Sequence, residues 1–468
     1  MIKFGTDGWR AVISEEFTFD NVKIVAQAMA DFISKDRQAK DKQIIVGYDT
    51  RFLSERYAQT VACVLAANGI GTILTDRAIP TPAMSFTILN KKLGGGIMIT
   101  ASHNPAEFNG IKYKAYYGGS ADPQITKVIE QKLYKNRIRI LPLEEAKKDL
   151  LKIENIMPDY LKAISNYVDI EAVKGRECRV LVDIMHGAGD SYVAKFLSGG
   201  KCRVDNIRSE INPGFGGKRP EPSPENLKET AEIVKKGNYD IGLATDGDVD
   251  RLGVITPEGE VLSGHKVMAL LLLHLVEDKK LSGSVVQTIC GTFLINKICQ
   301  KYDLKMHETP VGFKYICEIM RNETVLIGGE ETGGIGFRDF IPERDGILSG
   351  LLILELMAYR KKGILEILKD VEGEYGSFVY QRLDSIFHDE RKKKMIISRL
   401  KENPPKDILG KTIKEIKTVD GIKFICEDMS WLMIRPSGTE PLVRVYAEAS
   451  DIETTQKMLQ FGKEIAFK

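Results

Sequence analysis

Short apolar segments typical of buried strands alternate with amphipathic segments typical of helices along most of this sequence. Residues 43–48 and 71–75 fit strands, and residues 54–69 between them fit a helix. An earlier helix is predicted to begin at a capping residue, Asp20, and residues 80–82 are expected to form a proline turn. Because strands that alternate with helices usually pair in parallel, the pattern predicts an α/β fold.

The alternation predicts three similar α/β domains with mixed sheets, followed by a smaller C-terminal α+β domain, around a central cleft. Each α/β unit ends a strand in a short loop rich in glycine or aspartate, which indicates a repeated module. A chain of 468 residues is long enough to form several cores with a cleft between them. The expected domain limits are 1–150, 151–258, 259–372 and 373–468.

The composition gives no net charge large enough to indicate a charged partner. With 67 lysines and arginines against 65 aspartates and glutamates, the net charge is +2, so neither nucleic acid nor a membrane is an expected partner. The seven cysteines contain no Cys-x-x-Cys pair and fit buried thiols in a reducing cytoplasm. No signal-peptide layout or bilayer-length apolar run is present. We expect a cytoplasmic protein that is a monomer or a weak homo-oligomer.

Three aspartates at alternate positions, Asp246, Asp248 and Asp250, follow a predicted strand at residues 239–244. Their carboxylates would repel one another unless a divalent cation, most economically Mg²⁺, neutralised them. A calcium-binding EF-hand is excluded, because its loop requires glycine and glutamate at two positions that other residues fill here. A solvated acidic turn is the alternative, since aspartate and glycine are common turn residues.

A serine, Ser102, lies in the hexapeptide TASHNP directly after the apolar run at residues 95–99. Loops at the carboxyl ends of strands are common sites of chemistry in α/β sheets. The Gly-x-Ser-x-Gly motif of hydrolases is absent, and the adjacent His103 is poorly placed as a triad base for its own neighbour. A phosphoryl group carried on Ser102 requires a metal and cationic partners instead. The alternative is that Ser102 only caps a turn.

Two further loops carry polar groups suited to a sugar phosphate. The segment RPSGTEP at residues 435–441 offers a guanidinium, hydroxyls and the backbone N–H groups of a glycine turn, which suit a phosphate. Arg444 offers a second cation, although a hairpin without a ligand has the same composition. The Glu330-Glu331-Thr332 segment suits sugar hydroxyls, or equally a helix cap. The lone cations Arg10, Lys112 and Lys314 also lie beside glycine-rich turns, although a single basic residue there is more often a surface charge than a catalyst.

The chain resembles the α-D-phosphohexomutases in the order of four of these loops, which are TASHNP, DGDVDR, GEETG and RPSGTEP. The opening segment FGTDGWR at residues 4–10 fits the same family, and the resemblance runs nearly end to end. The chain looks most like the phosphoglucomutase/phosphomannomutase branch, and the segment TPVGFK at residues 309–314 points towards glucose.

The resemblance implies a role for each loop. Ser102 would carry the phosphoryl group and contribute to the metal site with the three aspartates. The groups implied around the transfer site are Arg10, His103, Lys112 and Arg251, and Lys112 is a candidate acid–base group. The groups implied to contact the sugar are Glu330, Thr332 and Lys314. The groups implied to hold the substrate phosphate are Arg435, Ser437, Gly438 and Thr439.

The implied activity is transfer of a phosphoryl group between O1 and O6 of glucose, through a hexose 1,6-bisphosphate that also acts as activator. One Mg²⁺ per chain would serve as cofactor. Phosphomannomutase and phosphoglucosamine mutase share this mechanism, whereas a metal-dependent phosphatase and a sugar-phosphate sensor are alternatives of other classes. Two departures stand out, because many members have Ser at Thr332 and His at Gly334, so a histidine role in proton transfer or phosphate contact is missing.

Overall fold

The computed structural model describes residues 2–5, 8–39, 41–437 and 441–468, and within these ranges the strands form four sheets. The first sheet, in domain I, has the order β1-β5-β4-β2-β3-β6. Strands β2, β3, β4 and β6 are mutually parallel, while β5 and β1 add antiparallel neighbours. The elements of domain I are β1 (Trp9–Val12), α1 (Phe19–Ile33), β2 (Ile44–Tyr48), α2 (Ser54–Ala67), β3 (Thr72–Thr75), α3 (Thr81–Asn90), β4 (Gly95–Ile99), β5 (Phe108–Ala115), α4 (Pro123–Lys132), α5 (Leu143–Asp149) and β6 (Leu151–Glu154).

Domain II contains a second mixed sheet, with the order β10-β9-β7-β8. Its central strands are parallel, and β10 pairs with β9 in antiparallel register. A single 3-10 turn at Phe215–Gly217 interrupts the proline-rich loop before the last helix. The elements are α6 (Met157–Tyr167), α7 (Ile170–Gly175), β7 (Cys178–Asp183), α8 (Tyr192–Leu197), β8 (Cys202–Ile207), α9 (Lys228–Lys236), β9 (Ile241–Thr245) and β10 (Leu252–Ile255).

Domain III repeats the arrangement with the order β12-β11-β13-β14, of which β14 is antiparallel. Its first helix continues into a π-helical turn at His274–Asp278. The elements are α10 (Gly264–Leu273), β11 (Ser284–Thr288), α11 (Phe293–Lys301), β12 (Met306–Thr309), α12 (Phe313–Asn322), β13 (Val325–Gly329), β14 (Ile335–Phe337), α13 (Gly346–Arg360) and α14 (Ile364–Tyr375).

Domain IV differs in having an entirely antiparallel sheet, with the order β15-β20-β19-β18-β17-β16. The observed architecture therefore matches the predicted α/β domains and C-terminal α+β domain. Its elements are β15 (Val379–Ile386), α15 (Glu390–Glu402), β16 (Asp407–Ile408), β17 (Lys411–Lys417), β18 (Ile422–Cys426), β19 (Trp431–Pro436), β20 (Leu442–Ala449) and α16 (Ile452–Phe467).

A recurrent hairpin explains why the sequence suggested a repeated module. In domains I, II and III a strand with a parallel neighbour ends in a loop, and the chain returns as an antiparallel strand. These pairs are β4 with β5, β9 with β10, and β13 with β14. In domain IV, β19 and β20 form the corresponding hairpin. Each of the four motif loops is therefore the connection of one such hairpin.

Several local expectations need correction or remain predictions. The segment predicted as a proline turn begins α3, because Pro80 occupies the cap position and Pro82 the first turn, where no N–H is needed. Helix α1 is capped by Thr18, whose hydroxyl accepts from the Asn21 N–H, rather than by Asp20. The domain limits stay predictions, although β6 lies beyond residue 150 and still pairs with β3 in the first sheet.

The apolar cores show how the domains are joined. One cluster of buried side chains extends from domain I through domains II and III, from Ile45 to Tyr375. Domain IV has its own cluster and touches domain III through a smaller one that includes Cys290 and Trp431. All seven cysteines are buried. Within the described ranges, no helix combines the length and apolar character needed to cross a membrane.

Candidate active site

Ser102 lies at the carboxyl end of β4 and is 2% exposed. Its backbone adopts a left-handed conformation, with φ of 52°, which is uncommon for residues other than glycine. The Thr100 hydroxyl accepts a hydrogen bond from the Ser102 N–H at 2.8 Å. Backbone strain of this kind is maintained only when surrounding contacts fix it, and it concentrates at functional sites.

Arg51, which the sequence analysis did not select, supplies those contacts. Its guanidinium donates hydrogen bonds to the carbonyls of Ser102 and Asn104 at 2.6 and 2.5 Å. It also donates to the carbonyls of Pro105 and Phe108 at 2.8 and 3.0 Å. One buried side chain therefore holds the serine loop from both ends.

The three aspartates lie on the loop between β9 and β10, and all are fully buried. They offer ligand atoms within 4.8 Å of one another. Asp248 Oδ1 and Asp250 Oδ1 are buried and accept no hydrogen bond from the described residues. Such orphaned carboxylate oxygens fit a hard divalent cation, which prefers oxygen ligands.

The loops of domains I and II meet at Ser102. Its Oγ donates a hydrogen bond to Asp246 Oδ2 at 3.0 Å. The approach requires glycine at position 247, since a Cβ there would lie 2.7 Å from the Ser102 carbonyl oxygen. We call Ser102, Asp246, Asp248, Asp250 and Lys112 the serine–aspartate site.

Lys112 on β5 completes this site. Its Nζ donates to Asp248 Oδ2 at 3.0 Å, and the Thr81 hydroxyl donates to the same oxygen at 2.8 Å. Burial would raise the pKa of Asp248, but the Lys112 ammonium and these hydrogen bonds outweigh it and lower that pKa. Burial and the neighbouring carboxylates of Asp250 and Asp248 raise the pKa of Asp246 well above its ordinary value. The three carboxylates therefore lie close enough together to change one another's protonation.

Three other predicted groups surround the serine. His103 Nδ1 lies 3.4 Å from Ser102 Oγ. Burial, followed by the Arg251, Arg10 and Lys112 cations, lowers the pKa of His103 well below its usual range, so its ring is neutral near pH 7. Arg10 on β1 donates to Asn104 Oδ1 at 2.7 Å. The Arg251 guanidinium pairs with Glu221 at 3.0 Å.

The sugar-loop candidates lie between β13 and β14. Glu330 is 8% exposed, and Thr332 is half-buried in the same turn. Gly333 has φ of 85°, and its carbonyl accepts from the Leu252 N–H at 3.0 Å, directly after the aspartate loop. Burial raises the pKa of Glu330 to about 7, although the Arg344 guanidinium opposes the shift. This loop and the aspartate loop are therefore joined through their backbones.

The departure at Gly334 has a structural counterpart in Arg344, a second residue missed from the sequence. A Cβ at position 334 would lie 2.3 Å from the Arg344 side-chain Cδ. The space beside Gly334 is occupied by Arg344, whose guanidinium pairs with Glu330 at 3.1 Å and Asp250 at 2.6 Å. A cation from another loop therefore lies where a side chain at 334 would begin.

Lys314 follows the first residue of α12, and its ammonium lies 5.0 Å from the centre of the Tyr315 ring. The segment before it contacts domain IV, since the Val311 N–H donates to Asp420 Oδ2 at 3.1 Å. The same oxygen pairs with Arg435 Nε at 3.0 Å. Asp420 therefore connects the 309–314 segment to a predicted phosphate ligand.

Arg435 and Arg444 occupy directly opposite positions on β19 and β20. Two like charges in such a pair are unfavourable unless anions balance them. Asp384 lies 3.6 Å from Arg444, and Ser437, which directly follows β19, is buried. Gly438 and Thr439 lie outside the described residues. We call Asp420, Arg435, Ser437 and Arg444 the arginine site.

The residues missed from the sequence share one signal. Arg51 follows the end of β2, Arg344 precedes the capped start of α13, and Asp420 immediately precedes a glycine before β18. Each is a charged residue at the boundary of an element, a position that most often holds surface charge. Their partners come from distant loops, and sequence spacing does not reveal such contacts.

Comparison of the sequence with models of protein families identifies the group to which the chain belongs. Four family models match: domain I of the phosphoglucomutase/phosphomannomutases over residues 1–139, domain II over 158–259, domain III over 263–375 and the C-terminal domain over 387–461. The chain belongs to the phosphoglucomutase/phosphomannomutase family, within the α-D-phosphohexomutases.

Individual relatives cover nearly the whole chain. A phosphoglucomutase/phosphomannomutase of Thermococcus kodakarensis is 32% identical over 98% of this chain and 97% of its own length. A phosphoglucosamine/phosphogalactosamine mutase of Sulfurisphaera tokodaii is 30% identical over 99% and 98%. The open form of parafusin, a phosphoglucomutase from Paramecium, has a TM-score of 0.85 at 22% identity, covering 100% of this chain and 96% of that one, and so shares the fold. These similarities indicate a phosphotransferase isomerase acting on a hexose phosphate.

Proposed function

We propose that the protein is a Mg²⁺-dependent phosphoglucomutase that interconverts glucose 1-phosphate and glucose 6-phosphate. The observation that carries the proposal is the 3.0 Å hydrogen bond between Ser102 Oγ and Asp246 Oδ2, inside a fully buried cluster of aspartates. A hydroxyl that donates to a carboxylate of a potential metal site suits phosphoryl transfer better than acyl transfer.

In the proposed cycle, phosphorylated Ser102 transfers its phosphoryl group to O6 of glucose 1-phosphate. The P–O bond to Oγ breaks as the bond to O6 forms, which gives glucose 1,6-bisphosphate. After the bisphosphate reorients, its O1 phosphoryl group returns to Ser102 and glucose 6-phosphate leaves. Lys112 is proposed to exchange the hydroxyl proton, with Arg10, neutral His103 and Arg251 around the group in transfer.

Asp246, Asp248 and Asp250 would hold the Mg²⁺ together with an oxygen of the phosphorylated serine. The orphaned oxygens described above fit such a cation. When bound, the cation would withdraw charge from the phosphoryl group. Besides the proton exchange at Lys112, the protein's own contribution is positional, because Arg51 fixes the serine loop and Lys112 fixes Asp248.

The remaining loops are proposed to read the substrate in two reversed orientations. Glu330, Thr332 and Lys314 would contact the sugar, while Arg435, Ser437, Gly438 and Thr439 would hold the phosphate that is not transferred. The two opposed arginines on β19 and β20 support this role, because they place two guanidinium groups side by side, which suits a phosphate dianion.

Phosphoglucosamine mutase is the second candidate function. It is favoured by relatives of that name, including one from Methanocaldococcus jannaschii that is 31% identical over 90% of this chain and 91% of its own. A second carboxylate in the sugar loop, Glu331, also suits an ammonium substituent. Glucose and glucosamine phosphates must therefore be compared directly.

The proposal is tested by supplying the 1-phosphates of glucose, mannose and glucosamine with Mg²⁺ and the matching 1,6-bisphosphate. The assay follows both the 6-phosphate product and inorganic phosphate. Fastest conversion of the glucose substrate without phosphate release is the expected result. Faster conversion of glucosamine would favour the second candidate, and stoichiometric phosphate release would indicate a phosphatase. Binding without conversion would indicate a sugar-phosphate sensor.

A further inference from the structure

Arg344 connects acidic groups from three separate segments. Its guanidinium pairs with Asp250 of the aspartate loop at 2.6 Å and with Glu330 of the sugar loop at 3.1 Å. Its Nε also pairs with the preceding residue, Glu343, at 3.3 Å. Glu343 in turn pairs with buried Lys114 of domain I. A single side chain therefore contacts both proposed ligand-binding loops and is tied to the remaining α/β domain.

The position of Arg344 is restricted by its neighbours. The side chain is 8% exposed, so its charge is largely removed from water. Its guanidinium lies 5.3 Å from the centre of the Phe313 ring, and any side chain at Gly334 would displace its stem. Ion pairs are strong only in low dielectric and in fixed geometry. A change of charge at Asp250 therefore alters how strongly Arg344 interacts with Glu330.

We propose that Arg344 couples cation binding at the aspartates to sugar binding at Glu330. This inference rests on the proposed function, since it takes Mg²⁺ and a hexose phosphate as the two ligands. A cation on Asp250 neutralises the carboxylate that otherwise competes for the Arg344 guanidinium. Arg344 then holds Glu330 Oε2 more firmly and leaves the other oxygen to accept from a sugar hydroxyl. Arg344 is thus a positioning residue that makes the two ligands bind cooperatively.

Such coupling must be reciprocal, so it can be measured from either ligand. The experiment uses dephosphorylated full-length enzyme, in which no phosphoryl transfer can occur. Calorimetric titration gives the Kd of glucose 6-phosphate with and without Mg²⁺, and the Kd of Mg²⁺ with and without glucose 6-phosphate. For the wild-type protein we expect Mg²⁺ to tighten sugar-phosphate binding about tenfold, within the range of ordinary allosteric couplings.

Three substitutions separate coupling from a structural role. The quantity compared is the ratio of the Kd of glucose 6-phosphate without Mg²⁺ to its Kd with Mg²⁺. Arg344→Met should bring this ratio close to one. Arg344→Lys should give an intermediate ratio, because it keeps the charge but loses the planar guanidinium that can pair with two carboxylates. Gly334→Ala keeps the arginine but displaces it, and should also lower the ratio. Arg338→Met is the matched control, since Arg338 pairs with exposed Asp339, and it should keep the wild-type ratio.

A wild-type ratio near one would overturn the inference, as would an Arg344→Met protein that weakens both ligands equally and keeps the ratio. If Arg344→Met does not fold, the lysine and Gly334 variants decide the outcome by the same criterion. Failure of the wild-type protein to bind any hexose 6-phosphate, or to convert any hexose 1-phosphate, would refute the proposed function instead. If the wild-type protein turns over normally but the ratio in Arg344→Met equals the wild-type ratio, only the coupling inference is refuted.

Discussion

The serine–aspartate site and the arginine site are built in different ways. Ser102 is 2% exposed and its three aspartates are fully buried, whereas the side chains of Arg435 and Asp420 are 20% and 25% exposed. The first site is assembled by domains that share one apolar cluster. The second lies on domain IV, which has a separate core and a smaller contact with domain III.

This difference matches the two tasks of the proposed reaction. Phosphoryl transfer requires groups fixed in advance, and a continuous core across three domains provides that rigidity. A substrate that turns over between two half-reactions requires an anchor that can release and rebind it. A domain with its own core can move as a unit while its sheet stays intact.

The largest effect is expected at the centre of the buried site. Ser102→Ala should lower mutase turnover by roughly 10⁶-fold, because the proposed transfer passes through the Ser102 Oγ that this substitution removes. The rate of 6-phosphate formation measures this loss, and calorimetry should show that hexose phosphate still binds. If Ser102→Ala kept turnover within tenfold of wild type, the serine–aspartate site would not be the site of phosphoryl transfer, and its functional difference from the arginine site would be contradicted.

Substitution in the arginine site should weaken binding more than chemistry. Arg435→Gln is expected to raise KM for glucose 1-phosphate about 10- to 100-fold, with a much smaller change in kcat, because a charged hydrogen bond to the substrate is lost. Steady-state kinetics give both constants, and Arg391→Gln on the exposed face of α15 serves as control. A fall in kcat with unchanged KM would place Arg435 in the chemical step.

Glu330 should show the cost of a buried charge. Its pKa of about 7 exceeds the ordinary value of 4.5. Between these two pH values the folded state therefore keeps a proton on Glu330 that the unfolded chain has lost. Stability should therefore fall as pH rises from about 4.5 to 7, and Glu330→Gln should regain roughly 2 to 3 kcal/mol at pH 8. Thermal unfolding of the unliganded protein at pH 5 and pH 8 measures this, with Glu402→Gln as the exposed control.

The same substitution should lower activity, because an amide accepts weaker hydrogen bonds from sugar hydroxyls than a carboxylate does. Gain of stability with loss of activity is the expected signature of a buried functional group. If Glu330→Gln destabilised the protein equally at both pH values, the carboxylate would instead be a structural partner of Arg344.

The smallest effect is expected at the link between the segment 309–314 and the arginine site. Asp420→Asn removes the charge opposite Arg435 but keeps an oxygen for the Val311 N–H, so KM should rise about two- to fivefold. Asp420→Ala, which loses both contacts, should have the larger effect. Equal values for the two variants would show that the ion pair, rather than the link to Val311, accounts for the change.

Much of the fold followed from local patterns. Strand β2 falls within the predicted residues 43–48, and the four motif loops connect hairpins at the ends of strands. Helix α3 was missed because its two prolines resemble a turn, although proline is tolerated in the first turn of a helix. The predicted serine and aspartates lie together because loops at strand ends of two neighbouring domains meet, where Ser102 donates to Asp246.

The supporting residues could not be predicted in the same way. Arg51 acts on backbone carbonyls of another loop, and Arg344 fills space left by a glycine ten positions earlier. Neither interaction has a sequence period or motif, since both depend on how separate domains pack. Only the side-chain positions show that the space beside Gly334 is occupied by Arg344.

The central claim is that Ser102 stores a phosphoryl group reversibly. Intact-protein mass and peptide mapping should be recorded for dephosphorylated enzyme, after incubation with Mg²⁺ and glucose 1,6-bisphosphate, and after a chase with excess glucose 1-phosphate. We predict the gain of one phosphoryl group on Ser102, and its loss in the chase as glucose 1,6-bisphosphate forms. An enzyme that turns over while Ser102 stays unmodified, or whose phosphate appears only as free phosphate in the chase, would contradict the account.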